Sequence, residues 1–103
     1  MRQFDVFRSP SRSSRKFAPF LVVLQSDVTI TSTTAVVAPL VVKRRLPEPS
    51  RLFPAFAVEG QQVVLAVNEL AAIRQQVLRE HVTNLEAHRD SIITALDLLF
   101  LGI

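Results

Sequence analysis

Apolar and polar positions follow two different rhythms along the 103 residues. In the first two thirds the apolar residues come in short runs, broken by Ser, Pro and Gly. "QFDVF" (3–7) alternates and puts Phe4 and Val6 on one face, as a half-buried strand does. "RSPSRSSRK" (8–16) is polar and reads as a loop or hairpin tip. "FAPFLVVLQ" (17–25) is aromatic and β-branched, which predicts a second strand. "TITSTT" (29–34) leads into "AVVAPLVV" (35–42), a third. Pro39 cannot donate to a ladder, so an edge or a bulge is expected there. "KRRLPEPSR" (43–51) is read as irregular, because Pro47 and Pro49 oppose helix and sheet alike. "FPAFAV" and "QQVVLAV" flank Glu59-Gly60 and predict a hairpin, with Gly60 supplying a positive φ.

The rhythm changes after residue 67. Local preference allows one long helix over 68–100, but two features argue for a break. Val82 and Thr83 are poor in a helix interior, and "TNLE" (83–86) has the Thr-x-x-Glu form of a capping box. A helix of about four turns is predicted from Thr83 or Asn84 onward. Leu85, His88, Ile92, Leu96 and Leu99 would lie on one face, with Ile93 and Phe100 beside it. The closing stretch "DSIITALDLLFLGI" is apolar almost throughout, with no polar fringe after it. Strands followed by one packed helix predict a mainly β α+β fold in a single domain spanning 1–103.

Composition narrows the functions. At 49% hydrophobic the chain is too apolar to be disordered. The absence of cysteine excludes disulfides and thiolate metal sites and fits a reducing compartment. No apolar run reaches membrane-span length, and "FAPFLVVL" reads as a buried strand rather than a signal segment. The net charge of +3 is unevenly spread. Residues 1–51 hold nine Arg and Lys against three acids, and 52–103 hold three Arg against six acids. The basic half calls for an acidic partner or is a solvated surface. His81 and His88 lack the further ligands a metal needs, and Asp90 and Asp97 are better explained as a solvated face than as an acid–base pair. Ser26-Asp27 has no histidine base near it in sequence. Two glycines, Gly60 and Gly102, make no phosphate-cradling loop. Arg8, Arg12, Arg15, Lys16 and the Lys43-Arg44-Arg45 run motivate nucleic-acid binding, yet no Tyr or Trp accompanies them, and the Phe residues sit in apolar runs. No cofactor and no catalytic residue is indicated.

The order of these pieces resembles the CcdB toxins of bacterial toxin–antitoxin modules. "MRQFDVF" is similar to the family's opening strand. "VVLQSDV" matches its second strand at Gln25, Ser26 and Asp27. "AVVAPL" matches at Val37, Pro39 and Leu40, and "RLFPAFAV" at Leu52 and Pro54. "ALDLLFLGI" is similar to the family's terminal helix, which also closes on Gly-Ile.

The resemblance implies an SH3-like barrel of about five antiparallel strands, a small extra sheet and a C-terminal helix, assembled as a homodimer. It implies a bacterial cytoplasmic toxin, not an enzyme, that binds the DNA gyrase A subunit and traps the cleaved complex, as in plasmid maintenance. Neither membrane nor direct nucleic-acid contact is implied. A CcdA-like antitoxin with an acidic disordered tail would neutralise it. The gyrase-binding candidates are Val28, Asp97, Phe100, Leu101, Gly102 and Ile103. The antitoxin-binding candidates, chosen by charge, are Arg8, Arg12, Arg15 and Lys16. Some positions depart from the family pattern. Leu101 stands where a well-known member has tryptophan, Asp97 replaces an asparagine, Val28 matches an isoleucine and Thr29 does not. Over 69–80 the family topology puts a strand in part of "RQQVLRE" where local preference says helix, and the strand is the expectation, since non-local pairing overrides propensity. Two other readings stay open: a MazF-like mRNA endonuclease on the same barrel, and an inactive remnant that still binds antitoxin. Apart from the resemblance, Leu101-Gly102-Ile103 would be read as a cap on the core.

Overall fold

The computed structural model describes residues 1–31, 33–42 and 48–103. The Lys43-Arg44-Arg45 run and Pro47 lie outside the described residues. Within them are seven strands and one α-helix: β1 (Asp5–Arg8), β2 (Phe20–Val23), β3 (Thr34–Val42), β4 (Ala55–Val58), β5 (Gln61–Leu65), β6 (Ala71–Arg74), β7 (His81–Asn84) and α1 (Arg89–Leu101). The pairings are antiparallel and the path runs β4-β5-β3-β2-β1-β7, with β6 branching onto β3. The fold is mainly β, a curled half-barrel with a C-terminal helix; the sequence pattern indicated the mainly β class with its helix, and the resemblance implied the barrel. Among the described residues no helix is long and apolar enough to cross a membrane.

β1, β2 and β3 are covered on both faces, which is why their sequences are runs rather than clean alternations. Val6, Phe20, Val22, Ala38 and Leu40 face the main core, which also takes Phe56, Val58, Val63 and Leu65 from the hairpin and Ile92 and Ala95 from α1. Phe7, Val23 and Val37 face the other way, under Leu78, Ile30 and Ile73. The β4–β5 turn has positive φ at both central residues, Glu59 (51°) and Gly60 (74°). That is the primed geometry whose twist suits a two-residue hairpin. Gly60 was expected there; Glu59 is the non-glycine that shares the strain.

Three expectations need correction. Pro39 lies inside the central strand β3, not at an edge. Its carbonyl accepts from Ala66 N (3.0 Å), so its nitrogen points to the same side. On that side β6 pairs with 34–37 and β5 with 40–42, and the missing N–H falls in the gap between them. Secondly, Thr83 and Asn84 belong to β7 and cap no helix. Asn84 Oδ1 instead accepts from Glu86 N (2.7 Å), a 3₁₀ turn follows over Glu86–His88, and α1 begins at Arg89. Leu85 is buried just ahead of that turn, while His88 is exposed with its ring 5.1 Å from that of Phe56. Thirdly, pairing with β3 does override helical preference over 69–80, as expected, but it places the strand earlier. The strand there is Ala71–Arg74, earlier than "RQQVLRE" implied; Gln75–Val77 forms a 3₁₀ turn and delivers Leu78 to the second core.

The curl is fastened by charge. Glu59 sits at the β4 edge, and Arg8 ends β1, next to the opposite edge strand β7. Arg8 Nη2 donates to Glu59 Oε1 (2.9 Å) and Arg8 Nε to Glu80 Oε2 (3.2 Å), joining the two ends of the sheet.

Burial along α1 is uneven, and stability should follow it. Ile92 is fully buried, whereas Leu101 is 67% exposed. Ile92→Ala should cost about 2–5 kcal/mol in urea unfolding, and Leu101→Ala about 0.5 kcal/mol or less. Equal losses would mean that the helix end is packed.

Candidate functional site

The last turn of α1 leaves the core. Ile93, Leu96 and Leu99 still pack against it, half-buried. Asp97, Phe100 and Leu101 stand three and four residues apart on the outer side and are exposed. Phe100 is 66% exposed, so it does not join the packed face as expected, and Ile103 is 77% exposed. A helix ordinarily ends in orphan carbonyls. Here Gly102, at φ 74°, turns left-handed, and its N–H reaches the carbonyls of Asp97 and Leu98, both at 3.1 Å. The apolar tip is therefore held by a cap rather than left to fray. A Cβ on Gly102 would meet nothing within 4 Å. Glycine serves the turn itself at this position, not a close approach within the chain. The reading of Leu101-Gly102-Ile103 as a core cap does not survive: all three are exposed.

Val28 is 92% exposed on the 3₁₀ turn Asp27–Thr29. Ser26 caps that turn, its Oγ accepting from Val28 N (3.4 Å). Gln3 N donates to Asp27 Oδ1 (2.6 Å), and Arg89 Nη1 donates to Gln3 Oε1 (3.4 Å). These bonds tie the Val28 turn toward the start of α1. Among the described residues, no hydrogen bond joins it to the helix end.

A second feature gathers charge. Arg8, Arg12, Arg15 and Arg79 line a groove of about 540 Å³ with Glu80, Val77, Pro10 and Gln76. Arg8 is held between Glu59 and Glu80, and the bond to Glu59 foremost raises its pKa further above the ordinary arginine value. Arg15 Nε donates to the Ser9 carbonyl (2.7 Å) and Nη2 lies 3.5 Å from Glu80. Arg12 and Lys16 form no ion pair among the described residues. Lys16 does not line the groove.

A family model described as CcdB protein matches residues 3–102. The chain belongs to the CcdB family. Membership implies a toxin of a toxin–antitoxin module. No curated protein matches the chain. For a CcdB-family chain the structure thus gathers Asp97, Phe100, Leu101, Gly102 and Ile103 at one helix end and puts Val28 on a separate turn. It gathers Arg8, Arg12 and Arg15 at one groove. Sequence reasoning missed Arg79 and Glu80 there. Both lie just before β7, whose pairing with β1, together with the bond from Arg8 N to the Glu80 carbonyl (2.9 Å), sets them beside the end of β1.

One polar cluster stiffens the frame. Asp5, 7% exposed, accepts from Arg2 N (2.8 Å) and Asn84 Nδ2 (3.0 Å), and its Oδ1 lies 3.0 Å from His81 Nε2. Burial alone would raise the Asp5 carboxyl. The bonds from Asn84, the Arg2 amide and His81 outweigh it, and the pKa falls below the ordinary carboxylate value. A lowered folded-state pKa stabilises the fold above the unfolded value and loses that contribution as pH drops through the folded one.

The stability gap between the parent and Asp5→Asn should therefore be widest above pH about 4 and shrink on further acidification. Denaturant melts from pH 7 to 2.5 would read it; a gap that widened toward acid would contradict the clasp. Gly102→Ala should cost about 1 kcal/mol through the left-handed turn alone, since no neighbour is struck. Gly102→Asn should cost less, because Asn tolerates that region. Equal, negligible effects in thermal melting would mean that the cap is not formed.

Proposed function

We propose that this chain is a gyrase poison. It binds the DNA gyrase A subunit, traps the cleaved DNA complex and catalyses no reaction itself. The observation that supports this most is the helix end: an apolar tip, capped and exposed, on a helix whose other turns are anchored in the core. Solvent gives no reason to hold Phe100, Leu101 and Ile103 outside. A protein target does, because buried apolar anchors carry most interface energy. Ile103 and Leu101 are the anchors in this reading. Phe100 widens the patch, Gly102 sets its direction, and Asp97 and Val28 contact the target around it. Leucine at 101 contributes burial only, where an aromatic would add stacking on a cation worth about 0.5–2 kcal/mol. A homodimer would present two such ends to a two-fold target. The chain would act in the bacterial cytoplasm, where gyrase works.

The arginine groove supports the second partner. A CcdA-like antitoxin with an acidic disordered tail would meet Arg8, Arg12, Arg15 and Lys16. Arg8 is the poorest contact of the four, since two carboxylates already occupy it.

The test is a cleavage assay with gyrase A and B subunits and supercoiled DNA. Leu101→Asp with Ile103→Asp should leave the melting temperature within about 2 °C, since surface changes cost little. The amount of toxin needed to trap cleaved DNA should rise by about 100-fold or more, because an unpaired charge entering an apolar site costs several kcal/mol. A parent chain that never traps cleaved DNA with its own host's gyrase would overturn the reading, as would a doubly charged tip that works as well as the parent.

A further inference from the structure

Four guanidinium groups on three separate elements converge on one groove. Arg8 closes β1, Arg12 opens a 3₁₀ turn over Arg12–Ser14 that Arg15 follows, and Arg79 lies between β6 and β7. Two of them are spoken for: Arg8 by Glu59 and Glu80, Arg15 by Glu80 and the Ser9 carbonyl. The other two are not. Arg12 has no ion pair among the described residues. Arg79 makes a 3.4 Å bond from Nε to the Gln76 carbonyl, which leaves both terminal amino groups of its fork. Among the described residues Glu80 is the one acid in the lining, and its carboxylate contacts Arg8 and Arg15.

We propose that this groove is a phosphate-recognising site that takes a small phosphorylated anion of the diphosphate kind between Arg12 and Arg79. Several observations favour that chemistry. Planar guanidinium forks match phosphate oxygens in pairs and keep their charge at any working pH. The volume, about 540 Å³, suits a small ligand. Among the described residues the apolar lining is limited to Val77 and Pro10, so recognition in the groove is by charge rather than by apolar side chains. Among the described residues no aromatic side chain lines the groove to stack a base. The ligand is thus recognised by its phosphates. Glu80 is a built-in competitor, since its single negative charge already draws on Arg8 and Arg15 and repels an incoming anion. The site goes beyond the gyrase reading and does not depend on it. An anion there would occupy cations that an acidic antitoxin tail would also seek.

The experiment uses the chain alone at constant ionic strength, titrated with inorganic pyrophosphate and followed by calorimetry. Parallel arms contain ATP, inorganic phosphate, a glutamate-rich peptide and a single-stranded oligonucleotide. Saturable binding of one pyrophosphate per chain is expected. Weakening by about tenfold or more is expected in Arg12→Gln with Arg79→Gln, since two charge-assisted contacts are lost. Arg51→Gln, which removes one exposed positive charge outside the groove where the groove variant removes two, should leave the affinity unchanged. Glu80→Gln should tighten it. ATP binding like pyrophosphate would assign the site to terminal phosphates of nucleotides, and pyrophosphate alone would assign it to the free anion. The proposal falls if binding does not saturate, if Arg51→Gln weakens it as much as the groove variant, or if Glu80→Gln weakens it. It also falls if only the peptide or only the oligonucleotide binds.

Discussion

Ile92 and Ala95 retain no accessible surface, and their burial against the strands fixes where α1 can lie. For Ile92 alone that contact is worth about 1.5–3 kcal/mol. The remaining turn and a half of helix has no sheet left to cover it on its outer side. Its apolar residues are displayed as a consequence of docking the first half. Gly102 then decides whether the display is rigid: its left-handed turn returns an N–H to two carbonyls and keeps the helix formed to Leu101. Anchor, overhang and cap form one mechanical unit, and the overhang is where a partner would read the molecule.

The sheet meets the helix with one face and covers its other face with its own chain. The segment after β5 provides that cover, through Ile73 and Leu78. The same detour carries Arg79 and Glu80 to the end of β1. There Glu80 and Glu59 hold Arg8 from two sides, joining the hairpin to the far edge of the sheet. The groove arginines are thus of two kinds. Arg8 and Arg15 fasten the curl, and Arg12 and Arg79 are left facing outward. A charge count alone treats them as equals.

Most strands were legible because β-branched runs and turn residues mark them locally. Glu59-Gly60 is the clearest case: a glycine between two apolar runs needs no tertiary information. Pro39 misled for the opposite reason. Its tolerance in a central strand depends on where β5 ends and β6 begins, which no local rule contains. The 69–80 tract was ambiguous locally because Gln, Arg, Leu and Ala favour helix intrinsically, while pairing with β3, implied by the resemblance alone, outweighs a preference of tenths of a kcal/mol per residue. "TNLE" has the capping-box form, but Asn84 is drawn into β7 and to Asp5, and the helix starts five or six residues later. At the candidate site, the helix end was legible as an apolar run without a polar fringe. Whether it packs or projects was not, because that depends on how much sheet lies beneath it. Arg12 and Arg15 were legible as charge, and Arg79 was invisible without the fold.

Residue-by-residue amide exchange on the free protein bears most directly on the central claim, that the apolar end is a formed and capped element before any partner arrives. Protection should continue from the buried turns through Leu98, Leu99, Phe100 and Leu101 to the Gly102 amide, and fail only at Ile103. Exchange at unstructured-chain rates from Leu98 onward would contradict it, since the exposed residues would then be a frayed tail rather than a presented surface.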